Sequence, residues 1–394
     1  MPSSRYRWVI LVLAYLCMLG FAFPLQSLPP VLTLIIRELR LTHTEAGLLM
    51  SLFALPSIFF AILAGSVSDR WGPFKTGVVS LVLVTVGMLI FAVSTSFLWL
   101  GLGRVVAGIG AATIAIVAPQ IISQWFREHG PGTAMGIFNT AMPVGTIICF
   151  ASFGRLAELL GWRIPMVITA MISTLALVSF LLLYRPSPNP SKRVVPEKEE
   201  KAGRPLVILL KIGLPIWLIG FCWMWFNAAV ISFSSFAPDF FVSKGYSLAF
   251  AGFLASLLMW GSLVLSPVVG RLVDKVGNND LFIAVGGIVL ASAIYLVTRS
   301  TNFFFPMILM AIAVALVPAP VFSSPSRILE PKNLGLGFGI LAMASGTGMF
   351  FGPYIAGFVR DKTGSYQMSF IFLSILALLT TVTALILRVK MKRD

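Results

Sequence analysis

Twelve stretches of roughly 20 residues or more, apolar and almost free of charge, run the length of this 394-residue chain. A stretch of that length crosses a bilayer as a helix. They fall at about 8–30, 45–67, 76–95, 98–123, 132–154, 164–184, 207–237, 247–269, 281–299, 302–325, 333–357 and 366–388. Lipid offers no partner to backbone polar groups, so the spans must be helices. The chain therefore reads as an all-α integral membrane protein. Hydrophobic residues make up 58% and charged residues 11%, too little charge to cover a soluble surface. The net charge of +15 does not point to nucleic acid, because the Lys and Arg residues are scattered between apolar runs.

Basic residues set the expected orientation. With both termini cytoplasmic, the inner segments hold Arg5, Arg7, Arg70, Lys75, Arg127, Arg271, Lys275, Arg327, Lys332 and the basic residues of the C-terminus. They also hold the basic residues of the central stretch. The outer segments keep only Arg37, Arg40, Arg155, Arg163, Lys244, Arg299, Arg360 and Lys362. That excess is the positive-inside pattern, and it predicts a multi-pass protein of the plasma or inner membrane. Residues 185–205 mix Pro with charges of both signs and lack apolar periodicity, which is the signature of a solvated linker. The expected organisation is a six-helix bundle over 1–184, a cytoplasmic linker over 185–205, and a second six-helix bundle over 206–394.

Little in the chain suggests catalysis. Cys17, Cys149 and Cys222 lie singly inside apolar runs, and His43 and His129 sit in short polar connections. Neither a disulfide, a metal site nor a cofactor site is expected from such spacing. No Asp or Glu falls in the middle of a span, so a membrane-embedded enzyme lacks a nucleophile–base pair. There is no G-x4-G-K-[ST] loop for nucleotide binding, and no additional signalling domain for a sensor.

One spacing recurs four times: Gly, three residues, an acid, two residues, Gly. It occurs as GSVSDRWG (Gly65, Asp69, Arg70, Gly72), GRLAELLG (Gly154, Glu158, Gly161), GRLVDKVG (Gly270, Asp274, Gly277) and GFVRDKTG (Gly357, Asp361, Gly364). The copies fall between spans 2–3, 5–6, 8–9 and 11–12, alternately inside and outside, as two halves built from inverted three-helix repeats require. The first Gly allows a neighbouring helix to approach, and the last supplies a positive-φ turn. The acid suits the positive N-terminal end of another helix. For Asp69 and Asp274 the expected partners are the inner starts of spans 5 and 11, at Pro131-Gly132 and just after Pro331.

On these motifs the chain resembles the major facilitator superfamily of secondary transporters over essentially its whole length. GSVSDRWGPFK is similar to that family's signature loop and GRLVDKVG to its second-half counterpart. RVVAGIGAA in span 4 (Arg104, Gly108, Gly110) is similar to the family's Arg-x3-Gly-x-Gly motif. GMFFGP (Gly348, Gly352, Pro353) resembles a Gly-Pro motif that the family's antiporters carry in span 5, where this chain has Met142-Pro143. The resemblance implies two pseudo-symmetric six-helix bundles that move a small solute by alternating access, acting as a monomer in the bilayer. GFVRDKTGSY before span 12 looks nearer the families that exchange small organic or inorganic anions, so a monoanion is the favoured substrate. Proton-linked efflux of lipophilic compounds is the alternative, and a non-transporting sensor the remote one.

The resemblance also places the substrate cavity between spans 1, 4, 7 and 10. Its polar and aromatic candidates are Gln26, Arg104, Thr113, Gln120, Asn139, Trp223, Phe226, Asn227 and Trp260. A midplane amide is unfavourable unless something satisfies it, which singles out Asn139 and Asn227. Pro24 and Pro29 are expected to kink span 1. A coupled proton could use only edge residues such as Glu45 or Asp239, or ride on the substrate; a counter-solute is the other option. Arg104 is the one charge well inside a span and needs a partner. Glu45, backbone carbonyls or an anionic substrate could supply it.

Overall fold

The computed structural model describes residues 3–126, 131–187, 213–330 and 334–391, with side chains throughout except at 3, 4, 60–67, 69 and 131. All regular structure among them is helical. The elements are α1 (Ser3–Gln26), a 3-10 turn (Pro29–Val31), α2 (Leu32–Leu39), α3 (His43–Val93), α4 (Phe97–Trp125), α5 (Pro131–Asn139), α6 (Ala141–Leu160) and α7 (Arg163–Leu183). The second half has α8 (Leu214–Ser243), α9 (Leu248–Val276), α10 (Asn279–Arg299), α11 (Phe304–Leu316), α12 (Pro318–Ser323), α13 (Pro325–Ile328), α14 (Leu334–Thr363) and α15 (Tyr366–Met391). Most of the 185–205 linker lies outside the described residues.

Prolines and one glycine divide these helices. Span 1 breaks before Pro29-Pro30, where two missing N–H groups leave the last carbonyls of α1 without intrahelical donors. It then continues through α2 to Leu39, beyond the boundary expected near residue 30. Span 5 breaks between α5 and α6 because Pro143 cannot donate to the Asn139 carbonyl. Span 10 breaks at Pro318. α3 is two antiparallel spans joined at Gly72, whose φ of 81° and ψ of 156° are not helical. The final glycines of all four motif copies have positive φ: Gly72, Gly161, Gly277 and Gly364. That is the backbone conformation the spacing predicts, and L side chains rarely adopt it.

Two six-helix bundles result, related by pseudo-symmetry. Their lateral surfaces carry exposed apolar side chains such as Val93, Leu98 and Leu182, as a lipid-facing belt does. The bundles meet along α3 with α14 and α6 with α9. The interface is uneven from one end to the other. On the face opposite the termini, a Cβ at Gly47 or Gly357 would overlap the Pro353 or His43 carbonyl oxygen. At the symmetry-related crossing, a Cβ at Gly154 or Gly252 would overlap the Leu248 or Phe150 carbonyl. Here the backbones touch, the close packing that small residues allow between membrane helices. On the face carrying the termini, Gly132, Gly136, Gly270 and Gly335 have open space around them, whereas the motif's final glycines are open at both faces.

The apolar core divides in the same way. One large cluster, including Phe53, Phe150, Phe153, Phe233 and Phe241, is shared by both bundles at the closed end. Toward the terminal face each bundle has its own cluster, around Ile121, Phe126 and Phe180 in the first and around Val269 and Val273 in the second. Among the described residues, the molecule is sealed at one face and parted at the other.

Candidate functional site

Arg104 lies seven residues into α4, about 10 Å from its start, and is 1% exposed. Its Nε donates to the Leu49 carbonyl at 3.0 Å and its Nη1 to the Pro24 carbonyl in the last turn of α1. The guanidinium lies over the Phe53 ring, 4.6 Å from its centroid, a favourable cation–π position. Arg104 thus ties α4 to the break in span 1, supplying a donor that the broken helix lacks. Glu45 is not its partner. That carboxylate closes a capping box with Thr42 at the N-terminus of α3. No carboxylate pairs with Arg104 among the described residues, and its Nη2 is buried without a partner.

Two residues beyond Pro24, Gln26 is also buried, with Nε2 unpartnered. Thr113 donates back to Ile109 within its own helix. Gln120 accepts from Ser68 Oγ at 2.6 Å and joins spans 2 and 4. In the second bundle Trp223 stacks on Phe226, with centroids 5.5 Å apart, and meets Phe322 of α12 edge-on at 5.2 Å. Asn227 Nδ2 donates to the Trp223 carbonyl at 2.8 Å, so the helix itself satisfies part of this amide. Asn139 is exposed at the α5–α6 break, next to Thr140, whose hydroxyl lies 3.2 Å from Tyr15 Oη of α1. Trp260 is set apart from these groups. It is 44% exposed on α9, in line with the exposed Phe253, Val264 and Val268.

The four acidic motif copies behave in two ways. At the closed face, the Asp361 carboxylate accepts from His43 N at 3.0 Å, Thr44 N at 2.7 Å and Thr44 Oγ1 at 2.6 Å. It caps the N-terminus of α3 from the other bundle. Glu158 does the same for α9, accepting from Leu248 N at 2.7 Å. Exposed N-terminal amides and the helix dipole both favour an anion there. At the terminal face Asp274 is exposed and makes no hydrogen bond or ion pair among the described residues, and Arg70 is exposed. The Asp69 side chain lies outside the described residues. The cross-bundle dipole contact expected of the inner copies is thus seen at the outer copies.

A polar cluster not singled out from the sequence surrounds His43. Its Nδ1 lies 3.1 Å from Asp361 Oδ1 and its Nε2 3.4 Å from Asp239 Oδ2. Asp239 also accepts from Thr33 Oγ1 at 2.5 Å and from Tyr366 Oη. Five separate segments converge here, so no local spacing announced it. The one available signal was the T-H-T-E capping box starting at Thr42, which puts His43 in the first turn of a helix.

Two discontinuous-helix bundles, sealed over an aromatic and weakly polar interior, define a secondary transporter. The comparisons agree. The model of the Major Facilitator Superfamily matches residues 11–301 and 227–394, and the chain belongs to that family. It is 24% identical to the lysosomal dipeptide transporter MFSD1 of Homo sapiens, covering 95% of this chain and 85% of that one. It is 22% identical to the hexuronate transporter of Bacillus subtilis (strain 168), covering 88% and 86%. A bacterial homolog to the human lysosomal transporter Spinster, solved in an inward-facing and occupied conformation, shares the fold with a TM-score of 0.75. That match has 18% identity over 98% of this chain and 97% of the other. The protein is a multi-pass membrane transporter of small solutes and not an enzyme.

Proposed function

We propose that the solute is a small organic molecule carrying one carboxylate, and that Arg104 receives it. The observation that carries this reading is the unpartnered Nη2 of a buried cation that no described carboxylate neutralises. An ordered guanidinium with one unused N–H edge favours an anion. The names of two relatives, a dipeptide and a hexuronate transporter, concern carboxylate-bearing solutes and support the same class. Asn139, Tyr15, Trp223 and Asn227 then provide polar and stacking contacts, and Gln26 a second free donor. The aromatic cluster of Trp223, Phe226 and Phe322 supports a second reading, transport of lipophilic compounds.

On this reading 185–205 is a cytoplasmic linker between bundles 1–184 and 206–394, the protein acts as a monomer in the plasma or inner membrane, and both termini are cytoplasmic. The sealed face is then extracellular and the conformation inward-open. A thermal-shift screen of small carboxylates, inorganic anions and lipophilic cations tests the substrate class. A ligand at a hundred times its Kd stabilises by about 2.7 kcal/mol, a measurable rise in Tm. Arg104→Lys should lose most carboxylate binding yet stay folded, because a point charge does not reproduce a planar fork. If Arg104→Lys binds carboxylates normally and only Arg104→Ala fails, by unfolding, Arg104 is purely structural and the anion assignment falls.

A further inference from the structure

We propose that His43, held between Asp239 and Asp361, is a proton-binding latch that keeps the sealed face closed. The inference goes beyond solute transport, and it rests on the reading that the sealed face opens during the cycle.

The ring sits between two carboxylates, hydrogen-bonded to Asp361 through Nδ1 and at ion-pair distance from Asp239 through Nε2. One ring nitrogen faces each carboxylate, at 3.1 Å and 3.4 Å. An imidazolium donates to both acids, whereas a neutral imidazole has one N–H and must turn a lone pair toward the other. The carboxylates are held in place independently of the imidazole ring. Asp361 takes two backbone N–H groups and a hydroxyl from the α3 N-terminus. Asp239 takes the hydroxyls of Thr33 and Tyr366. The remaining charged groups nearby do not replace His43. Arg360 lies over the Tyr366 ring, 4.7 Å from its centroid. Lys362 lies over Phe358, and Glu45 is turned onto Thr42. Arg37 and Arg40 of span 1 point to solvent, and Glu38 is paired with Arg163. Counting His43, Asp239, Asp361 and Arg360, the cluster is neutral when the imidazole is charged and carries an excess negative charge when it is not.

The cluster also sits where a proton could act. His43 and Thr33 belong to the first bundle, and Asp239, Asp361 and Tyr366 to the second, so parting the bundles at this face must break both contacts of the ring. The side chains of His43 and Asp361 are 21% and 27% exposed, open to solvent on the sealed face. The symmetry-related crossing provides an internal control. There Glu158 caps α9 at Leu248, in the position His43 holds on α3. The fold needs an acid at each helix start, and only one crossing adds a group that changes charge near neutral pH. Parting the bundles takes both acids away from the ring, so a proton on it favours the sealed state and raising the pH on this face favours opening. For one released proton, the open-to-closed ratio changes by up to tenfold per pH unit.

The test uses the full chain in lipid vesicles. Spin labels at Thr95→Cys and Thr301→Cys, both exposed on the sealed face, report its opening. Lys75→Cys and Arg271→Cys report the terminal face. The three native cysteines are buried. Between pH 5 and 8, the Thr95–Thr301 distance distribution should shift toward long distances as pH rises on the His43 side alone. His43→Gln, which cannot hold the charge, should remove the pH response and favour the open population. His43→Lys, permanently charged, should remove the response and favour the closed one. A pH-independent wild type, an unchanged response in both variants, or a response only to pH on the terminal side would overturn the latch. If neither label pair moves under any pH or solute condition, the alternating-access reading fails instead.

Discussion

The sealed and the parted faces are made from the same sequence motif, and they differ in what its residues touch. At the sealed face the first glycines, Gly154 and Gly357, press on the backbone of the opposite bundle, and the acids Glu158 and Asp361 cap helix starts there. At the parted face Gly270 has open space and Asp274 faces solvent. The motif is therefore a docking device that either engages or waits. Inverted repeats place a copy at each end, and alternating access needs only that one pair lets go as the other engages.

Wedging the contact should show the largest effect. Gly357→Val would drive a side chain into the His43 carbonyl, an overlap that backbone cannot yield to cheaply. Overpacking costs about 1–3 kcal/mol, so the sealed population should fall roughly five- to hundredfold by label distances, with transport largely lost. Gly270→Val, placed in open space, should leave the sealed face intact and instead hinder closure of the terminal face. If both substitutions shift the same face in the same direction, the comparison between the faces is wrong.

Removing the acids should act more gently. Asp361→Asn and Glu158→Gln keep shape but weaken charge-assisted bonds to helix N-termini, worth about 0.3–1 kcal/mol each. The sealed population should drop by a few-fold, measured by the same label pair. Asp274→Asn should leave this conformation unperturbed, since Asp274 is exposed here, while slowing turnover as a gating role requires; Asp69→Asn is expected to match it. Loss of equilibrium substrate binding equal to the loss of turnover would argue against gating for this inner pair. Trp260→Leu should have the smallest effect, within about 0.5 kcal/mol in stability and with no change in transport, because the side chain is exposed among other apolar side chains of α9. A measurable loss of binding in Trp260→Leu would return it to the cavity.

The four motif turns and the two-bundle fold were legible because each rests on a local pattern: apolar length, recurring spacing, and proline or glycine at fixed offsets. The break before Pro29-Pro30 belongs to the same class. The site was harder to read. Asn227 was singled out as an amide in need of a partner, yet its own helix supplies the Trp223 carbonyl, something hydropathy does not reveal. Trp260 is exposed in line with Phe253, Val264 and Val268 of α9, a placement that aromatic composition alone does not give. For Arg104 the alternatives included backbone carbonyls, and the two that receive it are Pro24 and Leu49. In the sequence His43 is part of a polar connection, because Asp239, Asp361, Thr33 and Tyr366 come to it only through tertiary packing.

The break in span 1 reaches further than its role as a kink. α1 packs within the first bundle, whereas α2 and the 3-10 turn before it lie against α8 of the second. The opening segment of the chain is thus seated partly in the other body. The central connection is then not the only tether between the bundles. The halves supplied as two polypeptides would still carry a specific segment for recognising each other, and rocking between them can concentrate its bending at Ser27 and Leu28.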